Sequence, residues 1–587
     1  MVCYLESCMN TVCNRVSRQL SVAEREIGYH SSLPSKRFLA FNTQAIQSTS
    51  SAYANMEKLK PALSTSEGSL SYGRVLGAAT AIYLSVWVGI WVYRITLHPL
   101  AKFPGPKLAA ATFWYEAYYD LWPHQHRYLW KIEELHKKYG PIVRINPIHI
   151  HIHDPDFLDD IYAGGRRKRD RDTWYMHATE TGPMGDSLLQ TMHHDQHRMR
   201  RAALNPFFSK RAIQALEGMV VEKVQRYVDR LEQAYRRGEV VNLTNSTAAL
   251  TMDVVSSYAL GADIGNLRRE DWGSDWLDAF RTVGMMRPMG RQFSWFMNSM
   301  LGTMSPEVVS WISPATANLV KKMSFPMDII KSAVEERERE AANGNGPKEK
   351  MSANERTIFQ DIIDSDLPPS EKTTARLSAE ALLVLGAGTE TTARNLAVLM
   401  WYLIENRDVL DKLRAELRTV MHGDGSQVTM AQLEALPYFS SVITEGLRLA
   451  HGGSSRMPRI ATEEILQYKD WVIPKGTAVM QSLWLHHTNP QIFPEPYKFK
   501  PERWIEDPML KPKYLMAWGR GSRSCLGMNL ANSELYLAIA TIMTKFEMEL
   551  YDTTWERDVE IRHDCFIGVT DTSSPGIQVR ITKILGN

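Results

Sequence analysis

Trp518-Gly-Arg-Gly-Ser-Arg-Ser-Cys525-Leu-Gly-Met-Asn-Leu-Ala531 (WGRGSRSCLGMNLA) is the segment that decides the fold. Two glycines, two arginines and a cysteine fall in its first eight residues, and it opens into the helix-like run NSELYLAIATIMTKF. A thiol just ahead of a helix N-terminus faces the positive end of the helix dipole and its free N–H groups. Both favour thiolate, the form that binds metal. Gly521 and Gly527 let the backbone curl around the sulfur and approach a flat ligand closely. Arg523 is placed to pair with a carboxylate on that ligand. Gly519-x-Gly521-x-x-Ser524 also has the look of a degraded dinucleotide loop, but it lacks the third glycine and a βαβ setting.

Three further motifs lie upstream. Ala387-Gly388-Thr389-Glu390-Thr391-Thr392 interrupts the long apolar helix ALLVLGAGTETTARNLAVLMWYLI. Gly386 and Gly388 each cost roughly 1 kcal/mol against Ala inside a helix, so they need a reason. Glu445-Gly446-Leu447-Arg448 puts acid and base three apart on one helix face. Taken alone, that is usually a surface pair worth little. His197-Arg198-Met199-Arg200-Arg201, followed by AALNPFFSK, makes a basic helix face.

Composition excludes several classes. The 587 residues carry 68 Lys+Arg against 66 Asp+Glu, a net +2, which argues against a nucleic-acid binder. A 44% apolar content is too high for a disordered chain. The cysteines, Cys3, Cys8, Cys13, Cys525 and Cys565, include no CxxC pair, so neither a zinc ribbon nor a disulfide framework is expected.

Residues 1–73 form a polar, Ser/Thr-rich leader expected to be disordered, with Met56 as an alternative start. Val75 to Tyr93 carries no charge and is close to the length needed to span a hydrocarbon core of roughly 30 Å, so 74–96 is expected to be a transmembrane anchor. Trp87, Trp91 and Tyr93 crowd its second half, as interfacial residues do. Pro99, Pro104 and Pro106 make 97–108 a stiff hinge. Residues 109–587 read as one large domain, mainly α with a minor β part. Helical spacing marks YLWKIEELHKKYG, GMVVEKVQRYVDRLEQAYRRG and AQLEALPYFSSVITEGLRLA. Strand-like runs are PIVRINPIHIHI and DWVIPKGTAVMQS, and NGNGPKEKMSANE (343–355) reads as a surface linker. Asn242 and Asn245 head formal glycosylation sequons, expected to be unused if the body faces the cytosol.

The Cys525 segment resembles FxxGxRxCxG, the haem-thiolate signature of cytochromes P-450, with Trp518 in place of Phe. The other motifs follow in that family's order, including Pro501-Glu502-Arg503-Trp504 downstream of Glu445 and Arg448. The resemblance covers roughly residues 97–587. It implies the cytochrome P-450 fold and haem b (iron protoporphyrin IX) as cofactor, with NADPH and O2 as cosubstrates. Cys525 would be the axial iron ligand. Thr391 and Glu390 would handle oxygen and protons beside Ala387 and Gly388. Glu445, Arg448 and Arg503 would form a structural triad. His197, Arg201, Arg456 and Arg523 would reach the haem propionates, with Trp518, Gly519 and Gly527 lining the cofactor.

FPGPKLAA, YGPIVRINP, RRAALNPFFSK and HHTNPQIFPEP look like fungal membrane-bound members, in the branch that includes trichodiene oxygenase. That likeness implies hydroxylation or epoxidation of a lipophilic secondary metabolite of terpenoid type. The expected partner is NADPH–cytochrome P-450 reductase, drawn by Arg198, Arg200, Lys210 and Arg520. The expected place is the endoplasmic reticulum membrane, single-pass, with the catalytic domain facing the cytosol. Substrate walls would come from 172–188, 284–297, Val384 to Ala387, Gly452 to Ser455 and Phe566 to Thr570. Two rival functions keep the same fold. An isomerase or dehydratase would turn over without a reductase, and a haem-binding sensor would have no turnover.

Overall fold

The computed structural model describes residues 72–180, 184–295, 314–343, 357–421 and 428–585. The leader and nearly all of the 343–355 linker lie outside the described residues. The chain falls into two units, Met1–Val88 and Gly89–Asn587. Helix α1 (Tyr72–Thr96) runs across that division. Its span Gly73–Thr96, 24 residues, has a mean hydropathy of 1.9 and is not buried against protein. An apolar helix of that length is a candidate membrane anchor. Deleting residues 1–96 is expected to move the protein from the membrane pellet to the supernatant. Continued sedimentation would mean that another surface holds it.

Within the second unit the elbow after α1 is pinned by one arginine. Arg144 is 1% exposed. Its guanidinium donates to the carbonyls of Arg94 (2.8 Å) and Pro147 (2.7 Å), and its own N–H donates to Pro104 O (2.7 Å).

The body is built on long helices: α2 (His194–Leu204), α3 (Glu217–Arg237), α4 (Leu243–Leu260), α5 (Ser274–Gln292), α6 (Thr374–Glu405), α7 (Pro437–Ala450) and α8 (Met528–Lys545). On α3, Val220, Val224, Tyr227, Val228 and Leu231 are buried at three- and four-residue spacing, the stripe of an amphipathic helix. Helix α6 is apolar on nearly every side and forms the spine of the main core. The Thr373 hydroxyl caps it by accepting from Arg376 N–H (3.3 Å). Asn242 caps α4 by accepting from Asn245 N–H (3.1 Å).

Two expected segments divide at prolines. AQLEALPYFSSVITEGLRLA is not one helix. It breaks into Met430–Glu434 and α7, because Pro437 holds Leu436 in an extended conformation. DWVIPKGTAVMQS breaks at Pro474: Trp471–Ile473 pairs with Leu466–Tyr468, while Ala478–Met480 joins a different sheet. That sheet contains β1 (Ile142–Arg144), β2 (His149–Ile152), β3 (Arg169–Asp170), β4 (Arg459–Ala461) and β5 (Ala478–Met480), in the order β1-β2-β5-β4-β3. Only β2 and β5 run parallel. The histidines of β2 are buried: His149 bonds Asp172 (2.8 Å), and His151 bonds His136 (2.7 Å) and Ser482 (2.9 Å).

Candidate active site

The cysteine loop is shaped by its backbone. Cys525 N–H donates to Trp518 O (2.7 Å), which closes the loop. Gly521 has φ +71, and a Cβ there would strike the carbonyl oxygens of Tyr162 and Ala163. Only glycine lets the loop lie that close to the 162–163 strand of chain. Gly519 is also left-handed, at φ +65, and Gly527 precedes the first turn of α8. The Cys525 side chain is exposed, although protein atoms surround the sulfur. Its accessible face therefore belongs to an interior cleft.

Burial raises the Cys525 thiol above its ordinary range, against the opposing pull of Gly527 N–H and Arg201. The N–H at the helix terminus therefore does pull the thiol down, but burial outweighs it. Metal ligation must itself displace the proton.

A cluster of buried cations stands near this loop. Arg171, Arg459 and Arg523 are all at least nine-tenths buried, and Arg201 is partly buried. Among the described residues none of the four has a carboxylate partner. Arg523 donates to the carbonyls of Arg169 (3.3 Å), Thr191 (2.7 Å) and Met192 (2.7 Å), and only the more distant Asp170 offsets its charge. Burial and the neighbouring Arg459 push it down to about 9. Arg201 donates to Ser524 O (2.5 Å). His197 is held neutral, at about 2, by burial and by Arg523, Arg171, Arg201 and Arg459. Arg171 Nε and Tyr175 Oη are buried without partners. Several desolvated cations with orphaned donors beside them are costly unless an anion arrives. A ligand bearing two carboxylates and an iron that takes sulfur fits this donor set, and haem is such a ligand.

Arg456 has a different role from the one its motif implied. Its guanidinium bonds Glu116 and lies 3.4 Å from Asp120, and Arg291 shares the same two acids at 2.5 and 3.4 Å. These pairings already satisfy its charge. Arg459, three residues on, occupies the place in the cation cluster expected for Arg456. Arg171 and Tyr175 also belong to that cluster, and no motif pointed to them. Arg200 also differs from its expected place. It is not a surface cation but bonds Glu371 at 2.7 Å inside the body. Arg198 is exposed, Lys210 pairs with Glu434 and Arg520 with Asp159.

On α6 the two glycines have a packing reason. A Cβ on Gly388 would meet Val255 of α4 at 2.8 Å, and one on Gly386 would meet Phe280 of α5 at 3.0 Å. Thr251 donates to Thr389 O and Thr247 to Ala393 O, each at 3.0 Å, tying α4 to α6. Ala387 is exposed in the middle of this otherwise buried helix, which marks open space beside it. Thr391 Oγ1 donates to Ala387 O (2.9 Å). Burial raises the Glu390 carboxyl, while Arg281 and Arg394 pull it down. Glu390, Arg281 and Arg394 line a cavity of about 40 Å³, large enough for water.

Three of the expected wall segments meet here. Gly452 lies against Asn395 and Thr391 of α6. Ser454 N–H donates to Phe566 O (3.0 Å), and the Cys565 thiol touches Met285 Sδ (3.3 Å). Parts of the 172–188 and 284–297 segments lie outside the described residues.

Glu445, Arg448 and Arg503 form one buried ion cluster. Arg448 grips Glu445 through Nε (2.9 Å) and Nη2 (2.8 Å), and Arg503 Nε donates to the same carboxylate (3.0 Å). Trp504 Nε1 adds a bond of 2.9 Å.

The geometry agrees with the comparisons. The family model described as Cytochrome P450 matches residues 106–576. Cytochrome P450 monooxygenase MO6277 of Ascocoryne sarcoides is 38% identical over 86% of this chain and 98% of its own length. Cytochrome P450 monooxygenase TRI4 of Trichoderma arundinaceum is 36% identical over 84% of this chain and 93% of its own length. The solved structure titled retinoic acid bound cyanobacterial CYP120A1 shares the fold, with a TM-score of 0.58 and 18% identity, covering 77% of this chain and 94% of that one. Sulfur loop, buried ion cluster, broken-pattern helix and sequence kinship converge, and the chain belongs to the cytochrome P450 family as a fungal-type haem monooxygenase.

Proposed function

We propose that this protein hydroxylates or epoxidises a lipophilic secondary metabolite of terpenoid type, using O2 and electrons from NADPH delivered by NADPH–cytochrome P-450 reductase. The observation that carries this is Cys525, a reachable sulfur inside a cleft, standing near buried cations that lack counter-charge. Cys525 Sγ would hold the haem iron, and Arg171, Arg201, Arg459 and Arg523 would face the propionates, with neutral His197 donating one N–H. Haem, when bound, would supply activation of O2 and one-electron chemistry.

The chain's own groups prepare that chemistry. The Thr391 hydroxyl donates its proton to Ala387 O, so its lone pairs are open to accept from a water. Glu390 sits one residue away, held toward the protonated form by burial. It can store a proton beside the small water-sized cavity and pass it toward Thr391. The packing of α4 and α5 on α6 keeps bulk water from the cleft. Exposed Arg198 and the groove lined by Lys511, Trp518, Gly519 and Arg520 give an electron donor with an acidic surface a place to dock behind the sulfur. The apolar helix α1 supports a membrane site, proposed as the endoplasmic reticulum with the body on the cytosolic side.

Co-expression with the reductase, feeding of candidate terpenes and mass spectrometry of products tests the proposal. A product heavier by one oxygen that requires NADPH is expected. Turnover without NADPH would favour an isomerase or dehydratase instead. Thr391→Ala is expected to cut product formation by ~10²-fold, the low end of what a side chain positioned for proton transfer contributes. NADPH consumption should fall less, with peroxide making up the difference. Unchanged coupling would remove Thr391 from the relay.

A further inference from the structure

Arg287 on α5 is a second kind of buried cation. It is 7% exposed. Among the described residues no carboxylate, carbonyl or hydroxyl oxygen bonds its guanidinium. The small part of its side chain that stays exposed still faces open space. The protein supplies counter-charge for its neighbours, since Glu116 and Asp120 serve Arg291 and Arg456. The Asp564 charge acts on Arg287 from a distance, but among the described residues it makes no ion pair with the guanidinium, and its Oδ1 accepts from Ser454 (3.0 Å) and Ser455 (2.5 Å).

What holds Arg287 instead is aromatic. Its guanidinium lies 5.0 Å from the Phe566 ring and 5.8 Å from the Tyr175 ring. Cation–π contact of this kind uses no N–H donor, so the donors remain for a planar anion. Phe566 has φ +80, a left-handed conformation that a bulky residue rarely adopts. Ser454 N–H holds its carbonyl in place. Strain of that sort tends to survive where a site needs it. The position is also that of a substrate wall. Cys565, next to Phe566, touches Met285 two residues before Arg287 and feels the charge of Glu390 on α6.

We propose that Arg287 is a specificity residue that receives a carboxylate on the substrate, whose apolar body lies along α6 toward Thr391. The substrate class is thus a lipophilic acid rather than a neutral hydrocarbon. A carboxylate would meet the free fork through two parallel bonds, and the two rings would exclude water around it. This inference rests on the haem-thiolate reading above.

The test uses holoenzyme of the wild type, Arg287→Met and Arg287→Lys. Each is first reduced and exposed to carbon monoxide, and its haem content measured. Each is then titrated at mildly alkaline pH with farnesoic acid and methyl farnesoate, and with dodecanoic acid and its methyl ester, following the haem absorption change. The wild type should bind at least one acid ~10-fold or more tighter than its ester, a difference of ~1.4 kcal/mol. Arg287→Met should bind acid and ester about equally, and Arg287→Lys should keep part of the preference, as a point charge does. No preference for an acid in the wild type overturns the proposal, and so does a preference that survives in Arg287→Met. A fall in haem content confined to Arg287→Met would move the residue to the propionates and also overturn it. A wild type with haem but without the thiolate band would overturn the haem-thiolate reading itself and this inference with it.

Discussion

Cys525→Ala is expected to yield a folded protein that binds haem weakly, lacks the thiolate band of the reduced carbon-monoxide complex, and turns over at least ~10²-fold more slowly, since loss of even one electrostatic group at a reacting centre costs that much. The fold should survive because no structural bond runs through the sulfur. The loop is closed by the backbone bond from Cys525 to Trp518 and by the three carbonyl contacts of Arg523. The other cysteine among the described residues cannot take over. Cys565 is buried, its thiol is pushed far up by burial and the Asp564 charge, and it touches Met285. Far-ultraviolet circular dichroism close to wild type, together with a lost thiolate band, is the expected pair of results. Persistence of the band would place the axial sulfur elsewhere. A band typical of nitrogen ligation would point to a histidine.

The features legible in the sequence are those carried by short range or by a single residue's chemistry. Cys525 could be read from its own loop, and Glu445 with Arg448 from a three-residue spacing on one helix. The break at Pro437 was available too, since proline restricts the residue before it, but the surrounding periodicity masked it. The cation cluster was only half legible. Arg523 and Arg201 carry motif context, whereas Arg459 and Arg456 sit three apart with similar surroundings. What separates them is Glu116 and Asp120, more than 300 residues earlier, which fold against Arg456. Nothing local to SSRMPR announces that pairing. Arg200 shows the same effect: its partner Glu371 is 171 residues away. Arg287 lies within the 284–297 stretch expected as a substrate wall, but nothing local singles it out, since arginine side chains are ordinarily exposed. The helix penalty of Gly386 and Gly388 is legible in the sequence, but its cause lies in Phe280 and Val255 on other helices.

Glu445→Ala is expected to destabilise the protein by ~3–5 kcal/mol, the cost of breaking a buried charge set by removing one member. Glu445 and Arg448 are both 0% exposed. The carboxylate accepts from Arg448 twice, from Arg503 Nε (3.0 Å), from Trp504 Nε1 (2.9 Å) and from Lys500 N–H (3.1 Å). Removing it leaves two guanidinium groups and an indole N–H facing each other with no water to replace it. Arg448 cannot turn away, because its Nη1 is also bound to the carbonyls of His487 (2.8 Å) and Pro496 (2.7 Å). Arg448→Lys should therefore fail nearly as badly, since an ammonium cannot bridge the carboxylate and two carbonyls at once. Glu502→Gln supplies the contrast within the same motif. Its partner Lys412 is 56% exposed along the side chain and Glu502 is 31% exposed, so that change should cost no more than ~1 kcal/mol. Urea unfolding of the holoenzyme, followed by circular dichroism and by the thiolate band, separates the two cases. If Glu445→Ala and Glu502→Gln shift the midpoint equally, the buried cluster is not what holds this part of the fold together.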